Sequence, residues 1–157
     1  MTKQKSRKTV KVSKSHEETF NIAKELASEV NSSLLIGLSG ELGSGKTVFA
    51  KGFAEELEVK ELVTSPTFLG INEYYSGRIP FIHMDFYKKV IAKEKIDLYI
   101  RKNSIILIEW IDNFSSVFND KLEPDISVCI QYLKDKNSNI LNNERQLTID
   151  FINSKGI

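Results

Sequence analysis

Apolar residues fall into two rhythms along this chain. Leu34-Leu35-Ile36-Gly37-Leu38 and Ile105-Ile106-Leu107-Ile108 are short continuous runs, the pattern of strands covered on both faces. Elsewhere the spacing is helical. Phe20, Ala23, Leu26, Ala27 and Val30 share one face, and Ser15 with Glu18 spells a capping box at its start. Phe49, Phe53 and Leu57 recur at i, i+4 and i+8 and predict a helix over Thr47 to Leu57. Within it Gly52 is either a weak point of ~1 kcal/mol against Ala or a point of close packing.

Shorter segments complete the pattern. Thr9 to Val12 alternates, and its lysine suits a sheet edge. Leu62 to Phe68 reads as a loop-to-strand passage around Pro66. Ile71–Tyr75 and Ile79–Phe86 predict a hairpin about the turn Ser76-Gly77-Arg78. Lys88 to Tyr99 predicts a helix, Ser104 to Trp110 a buried strand, and Asn113 to Phe118 a short helix. Ile126–Leu133 and Gln146–Phe151 alternate as strands, with the polar stretch 134–145 as their loop. Strands alternating with helices indicate an α/β fold: a mixed sheet with a parallel centre, antiparallel edge strands and helices on both faces.

A length of 157 residues suits one domain, and 41% hydrophobic with 27% charged residues is ordinary for a globular protein. No apolar run approaches 18 residues, and no apolar stretch follows the basic start as a secretory signal requires. The expected location is the cytoplasm. The single Cys129 excludes an intramolecular disulfide and a cysteine-built zinc site. The net charge of +1 hides an asymmetry, because residues 1–14 carry six basic side chains and no acid. Residues 1–8 read as a basic, solvated leader rather than an RNA-contacting arm, and 9–157 as a single domain. The mildly acidic remainder argues against a dedicated nucleic-acid-binding domain.

One motif changes the picture most. Gly40-Glu41-Leu42-Gly43-Ser44-Gly45-Lys46-Thr47 fits G-x-x-x-x-G-K-[ST], between an apolar strand and a helix. Its glycines let backbone N–H groups turn toward a phosphate, and the helix start adds its positive dipole end. Lys46 is placed to reach the β- and γ-phosphates and Thr47 to ligate Mg²⁺. The expected fold is therefore that of a P-loop NTPase.

Such a site needs an acid at the carboxyl end of an apolar strand, to hold Mg²⁺ or orient a water. Two strands end that way, in Glu109 and in Asp85, and Glu109 is the stronger candidate. Thr64-Ser65-Pro66-Thr67 is either a switch-like segment that meets the γ-phosphate or metal, or an ordinary turn. Trp110 is either a core aromatic or an anchor for a partner. His83 reads as a packed strand histidine rather than a catalyst.

These residues together resemble the bacterial TsaE family, also called YjeE. The resemblance rests on the loop Gly40–Thr47, then Thr64-Ser65-Pro66-Thr67-Phe68, Asn72-Glu73-Tyr74, His83-Met84-Asp85-Phe86-Tyr87 and Ile108-Glu109-Trp110, in that order. It covers about residues 9 to 151. It implies a Mg²⁺-dependent ATPase of tRNA threonylcarbamoyladenosine synthesis that acts with the TsaD and TsaB pair and meets tRNA only through that complex. It also implies that Leu42, Gly43, Ser44, Gly45, Lys46 and Thr47 wrap the phosphates, and that Thr47 and Glu109 ligate Mg²⁺ with Asp85 close by. The start of the first helix, near His16, and Arg145 would border the nucleotide. Lys88 departs from the arginine usual in the family, and Ile111-Asp112 from its proline-acid pair.

Three rivals remain on the residues. A small-molecule kinase of the phosphate-loop class needs an arginine-rich lid, and the arginines here are only Arg7, Arg78, Arg101 and Arg145, widely scattered. A GTPase switch needs N-K-x-D and D-x-x-G, which the chain lacks. A tRNA-binding module would rest on the basic start and the Lys88–Lys102 segment.

Overall fold

The computed structural model describes residues 7–153 and 157. Its elements in chain order are β1 (Arg7–Ser13), α1 (His16–Ser28), β2 (Leu34–Gly40), α2 (Lys46–Glu56), β3 (Ile71–Tyr74), β4 (Phe81–Asp85), α3 (Lys93–Arg101), β5 (Ile105–Glu109), α4 (Asn113–Phe118), β6 (Ile126–Lys134) and β7 (Ile140–Phe151). All seven strands form one sheet in the order β1-β7-β6-β2-β5-β4-β3. The four central strands, β6, β2, β5 and β4, run parallel. β7 and β1 continue one side antiparallel, and β3 closes the other. The fold is the expected mixed α/β sheet.

Alternate residues of the apolar strands serve two cores, which is why those strands read as unbroken runs. Leu34, Ile36, Leu38, Ile105 and Leu107 pack with Ala23 and Leu26 of α1 and with Phe49 and Phe53 of α2. Ile82, Met84, Ile106 and Ile108 point to the other face and pack with Ile96 of α3 and Phe114 of α4. The register aligns the carboxyl ends of three strands, with Leu38 opposite Glu109 and Glu109 opposite Asp85. The candidate chemistry therefore gathers at one end of the sheet, where ligands bind in parallel α/β folds.

Local detail follows from identifiable contacts. The Ser15 side chain accepts the Glu18 amide, as the capping pattern predicts. The Glu18 carboxylate, however, accepts from the Lys14 amide, one residue earlier than in the standard box. In the next turn Thr19 is buried rather than Phe20, because its hydroxyl pairs with the buried Ser13 hydroxyl at 2.7 Å. Gly52 marks close packing: a Cβ there would lie 2.2 Å from the Phe20 carbonyl oxygen of α1.

Four expectations change. β1 begins at Arg7, so Arg7 and Lys8 of the expected leader belong to the sheet, while residues 1–6 lie outside the described residues. Leu62 to Phe68 forms no strand and ends in a turn before β3. The helix expected from Lys88 starts at Lys93, since the Asp85 carboxylate accepts the Tyr87 amide at 2.8 Å and turns the chain first. The polar stretch 134–145 is mostly strand. β6 and β7 form a long ribbon turned at Asp135–Asn139, where the Asp135 carboxylate accepts the amides of Asn137 and Asn139. That ribbon is exposed on both faces near its tip, so no apolar alternation announces it. No helix among the described residues is long and apolar enough to cross a membrane.

Candidate functional site

β2 delivers the glycine-rich loop at its carboxyl end, and the loop feeds directly into α2. Gly43 and Gly45 take φ of 76° and 113°, a region that residues with a Cβ rarely adopt. No side chain caps the start of α2 at Gly45. The first amides of a helix have no intrahelical carbonyl to meet, so this end offers N–H groups and positive dipole to an anion. Gly43, Gly45, Lys46, Thr47 and Val48 line a cleft of about 470 Å³.

The Lys46 ammonium is nearly buried and donates to the carbonyls of Gly40 and Glu41, each at 2.8 Å. It also sits 4.0 Å from the centroid of the Trp110 ring. Burial pushes its pKa down, against the opposing pull of Glu109 and Asp85. Trp110 in turn packs on Tyr87, with ring centroids 5.0 Å apart. It follows β5 in the left-handed region, with φ of 58°. Trp110 is thus a wall of the cleft that joins the lysine to the turn after β4.

The strand-end acids meet the loop from the other side. Glu109 and Asp85 are 3% and 2% exposed, so both carboxylates need partners. Thr47 Oγ1 donates to Glu109, at 2.9 Å from Oε1 and 3.2 Å from Oε2. His83 Nε2 lies 2.8 Å from Glu109 Oε1, with its ring fully buried. Asp85 accepts from the Thr67 hydroxyl at 2.7 Å, and Ser65 bonds Thr67 at 2.6 Å. The hydroxyl segment therefore folds over the cleft onto the second acid. Ser65 and Thr67 line the cleft; Thr64 does not, and its amide and carbonyl are held by Tyr74 and Asn72.

The β6–β7 ribbon holds the loop from behind. Buried Arg145 donates from Nε to the Ser44 carbonyl at 2.7 Å and from Nη1 to the Asn143 carbonyl at 2.6 Å. Its Nη2 donates to His16 Nε2 at 3.3 Å, and its guanidinium lies 4.9 Å from the Tyr132 ring centroid. Tyr132 donates to the Gly43 carbonyl at 2.7 Å.

The structure thus brings together Leu42, Gly43, Gly45, Lys46, Thr47, His16, Ser65, Thr67, Asp85, Glu109 and Trp110 around one cleft. Ser44 and Arg145 do not line it. Ser44 is fully buried, and Arg145 braces the loop rather than facing into the cleft. Three contributors had no role at the site assigned from the sequence: Tyr132, Tyr87 and His83, the last read as a packed strand histidine, as its full burial in β4 bears out. Their identities were visible, but their place at the site depends on strand order. The one usable signal was His83 two positions before Asp85, since alternate strand residues share a face.

The family model described as threonylcarbamoyl adenosine biosynthesis protein TsaE matches residues 13–145. The tRNA threonylcarbamoyladenosine biosynthesis protein TsaE of Bacillus subtilis is 43% identical over 96 residues, 60% of this chain and 61% of the relative. The protein of the same description from Treponema pallidum is 29% identical over 133 residues, 82% of this chain and 96% of the relative. The matched stretch thus spans about three fifths of the Bacillus subtilis relative and nearly all of the Treponema pallidum one. A crystal structure of Bacillus subtilis YdiB superposes with a TM-score of 0.75 at 28% identity, covering 98% of this chain and 91% of that one. With a matched model spanning most of the chain, the protein belongs to the TsaE family of tRNA threonylcarbamoyladenosine biosynthesis proteins.

Proposed function

We propose that the chain binds ATP with Mg²⁺ in this cleft and hydrolyses it to ADP and phosphate, as the accessory ATPase of tRNA threonylcarbamoyladenosine synthesis. The observation that carries this reading is the contact between Thr47 and Glu109, 62 residues apart, at 2.9 Å. It joins the hydroxyl of the phosphate-loop motif to a strand-end carboxylate, the pairing that a Mg²⁺–nucleotide site requires.

The donor set fits the ion. Thr47, Glu109 and Asp85 offer only hard oxygens, the class Mg²⁺ prefers, and two nearly buried carboxylates supply the charge. Bound there, Mg²⁺ would neutralise phosphate charge as it develops in the transition state. The chain's own residues do the rest. Loop amides and Lys46 bind the phosphates; to reach them the ammonium exchanges the carbonyls of Gly40 and Glu41 for phosphate oxygens. Asp85, held by Thr67 and by the Tyr87 amide, is placed to orient a water. Trp110, Tyr87 and Lys88 wall the site.

The positions of the arginines support a partner-dependent rate. None of Arg7, Arg78, Arg101 and Arg145 lines the cleft. Arg78 donates to the Ala27 carbonyl, and Arg145 holds the loop. A loose phosphoryl-transfer transition state is stabilised ~10³–10⁵-fold by an arginine supplied in cis or in trans. The TsaD–TsaB pair is the expected source of that group, or of the ordering of Thr64 to Phe68. The test is Mg²⁺-dependent ATP turnover by the pure chain, alone and with both partners. Slow turnover that both partners accelerate is expected. No turnover in either case, or equal rates with binding confirmed, contradicts the reading.

A further inference from the structure

We propose that His83 is a positioning residue for Glu109, holding its carboxylate in the orientation that a divalent cation meets. The inference rests on the ATP-site reading above and extends it to a residue that lies outside the cleft lining.

The geometry is specific. Phe81, His83 and Asp85 alternate along β4 and share one face, beside Ile105, Leu107 and Glu109 of β5. His83 is fully buried beside Phe81, with ring centroids 6.2 Å apart. Its Nε2 meets Glu109 Oε1 at 2.8 Å, and its Nδ1 has no partner among the described residues. An ionised carboxylate only accepts hydrogen bonds, so the shared hydrogen is on Nε2. An N–H at Nδ1 would be a buried donor left unmade, the costlier arrangement. The ring therefore donates to Glu109 from Nε2.

Among the described residues Glu109 has two side-chain donors, His83 and Thr47. Thr47 is itself a prospective metal ligand, so its hydroxyl is not available solely to steer the carboxylate. His83 has no second task. Packed into the sheet, it holds Oε1 of a carboxylate whose residue lines the cleft. Partners that orient ligating carboxylates are worth about 10- to 100-fold in metal affinity or activity.

Glutamine places an amide N–H near the position of Nε2, whereas asparagine is too short to reach it. The experiment measures ADP affinity by calorimetry, with Mg²⁺ and in EDTA, for the parent, His83→Asn and His83→Gln. The expected result is that His83→Asn loses about 10-fold or more of the Mg²⁺-dependent tightening, while affinity in EDTA stays within about twofold. His83→Gln recovers most of the loss. Full tightening in a folded His83→Asn overturns the proposal, as does His83→Gln behaving no better than His83→Asn. If both variants unfold, ring ¹⁵N shifts of the unaltered chain decide: hydrogen on Nε2 supports the role, and an Nε2 without hydrogen overturns it. A parent that binds no ADP fails at the ATP-site reading itself, which separates that failure from one confined to His83.

Discussion

The Lys46 ammonium rests 4.0 Å from the ring centroid of Trp110, tying the phosphate loop to the residue that follows the strand-end acid Glu109. Trp110 is the only tryptophan of the chain. Its emission therefore reports on this contact without background from another indole. ADP binding is expected to change that emission as the ammonium moves to phosphate. Lys46→Ala should remove most of the change and weaken affinity about 10- to 100-fold, the worth of a charged hydrogen bond. An unaltered emission change in that variant, with unaltered affinity, contradicts the assignment of Lys46.

Glu109→Gln should keep the fold and bind ADP in EDTA, yet lose hydrolysis on the order of 10²-fold. The amide lacks the charge, and one half of it donates where Thr47 and His83 also donate. Asp85→Asn should cost less, because its remaining oxygen still accepts from Thr67 or Tyr87. Single-turnover hydrolysis of the two variants checks the order. The reverse order would make β4 rather than β5 the main metal strand.

Arg145→Ala should weaken ADP binding although Arg145 does not line the cleft. It removes the donor that holds the Ser44 carbonyl and unstacks Tyr132 from behind Gly43. The expected loss of stability is about 1.5–3 kcal/mol, for a buried charged hydrogen bond. Chemical denaturation and calorimetry on one preparation measure both effects. Stability loss with full ADP affinity would show that the loop keeps its shape unaided.

Gly52→Ala tests the contact between α1 and α2. Helix propensity alone favours alanine by ~1 kcal/mol. The added Cβ would meet the Phe20 carbonyl oxygen at 2.2 Å, so the helices must separate. Overpacking of this kind costs about 1–3 kcal/mol, and the melting temperature should fall by several degrees. A variant more stable than the parent would show that the helices yield freely.

Tyr99 sets a pH dependence. Its hydroxyl donates to Glu73, and this bond is the largest influence holding the Glu73 carboxyl below its usual range, ahead of the bond from Tyr75. A carboxyl depressed in the folded state adds stability that is present above its unfolded pKa of 4.5 and lost as pH falls through the folded value. Tyr99→Phe should therefore destabilise most above pH 4.5, and the gap to the parent should narrow on acidification below it. Urea unfolding across that range measures the gap; a gap that widens toward acid is the contrary outcome.

Much of this was legible in the residues. The glycine loop and the two strand-end acids announce themselves, because apolar run followed by acid and strand followed by glycines are local patterns. Parallel register then sets Glu109 beside Asp85. His16 and Arg145 came only through the family resemblance. Their meeting at the loop depends on β1 and β7 lying side by side, with Ser13 opposite Arg145. Tyr132 and His83 escaped for the same reason. A tyrosine on an edge ribbon and a histidine in a core strand look ordinary until strand order places them. The ribbon tip escaped because both its faces are wet, leaving no alternation to read.

Arg7 lies opposite Phe151 in the antiparallel ladder, at the end of the sheet away from the cleft. Force applied across those two residues would open the pair like a zipper, loading one backbone hydrogen bond at a time instead of shearing all of them together. β1 should peel first and at low tension, and only when the rip reaches Ser13 and Arg145 would the phosphate loop feel it. A tether fixed near either residue therefore holds the molecule by its mechanically soft side and leaves the cleft end free.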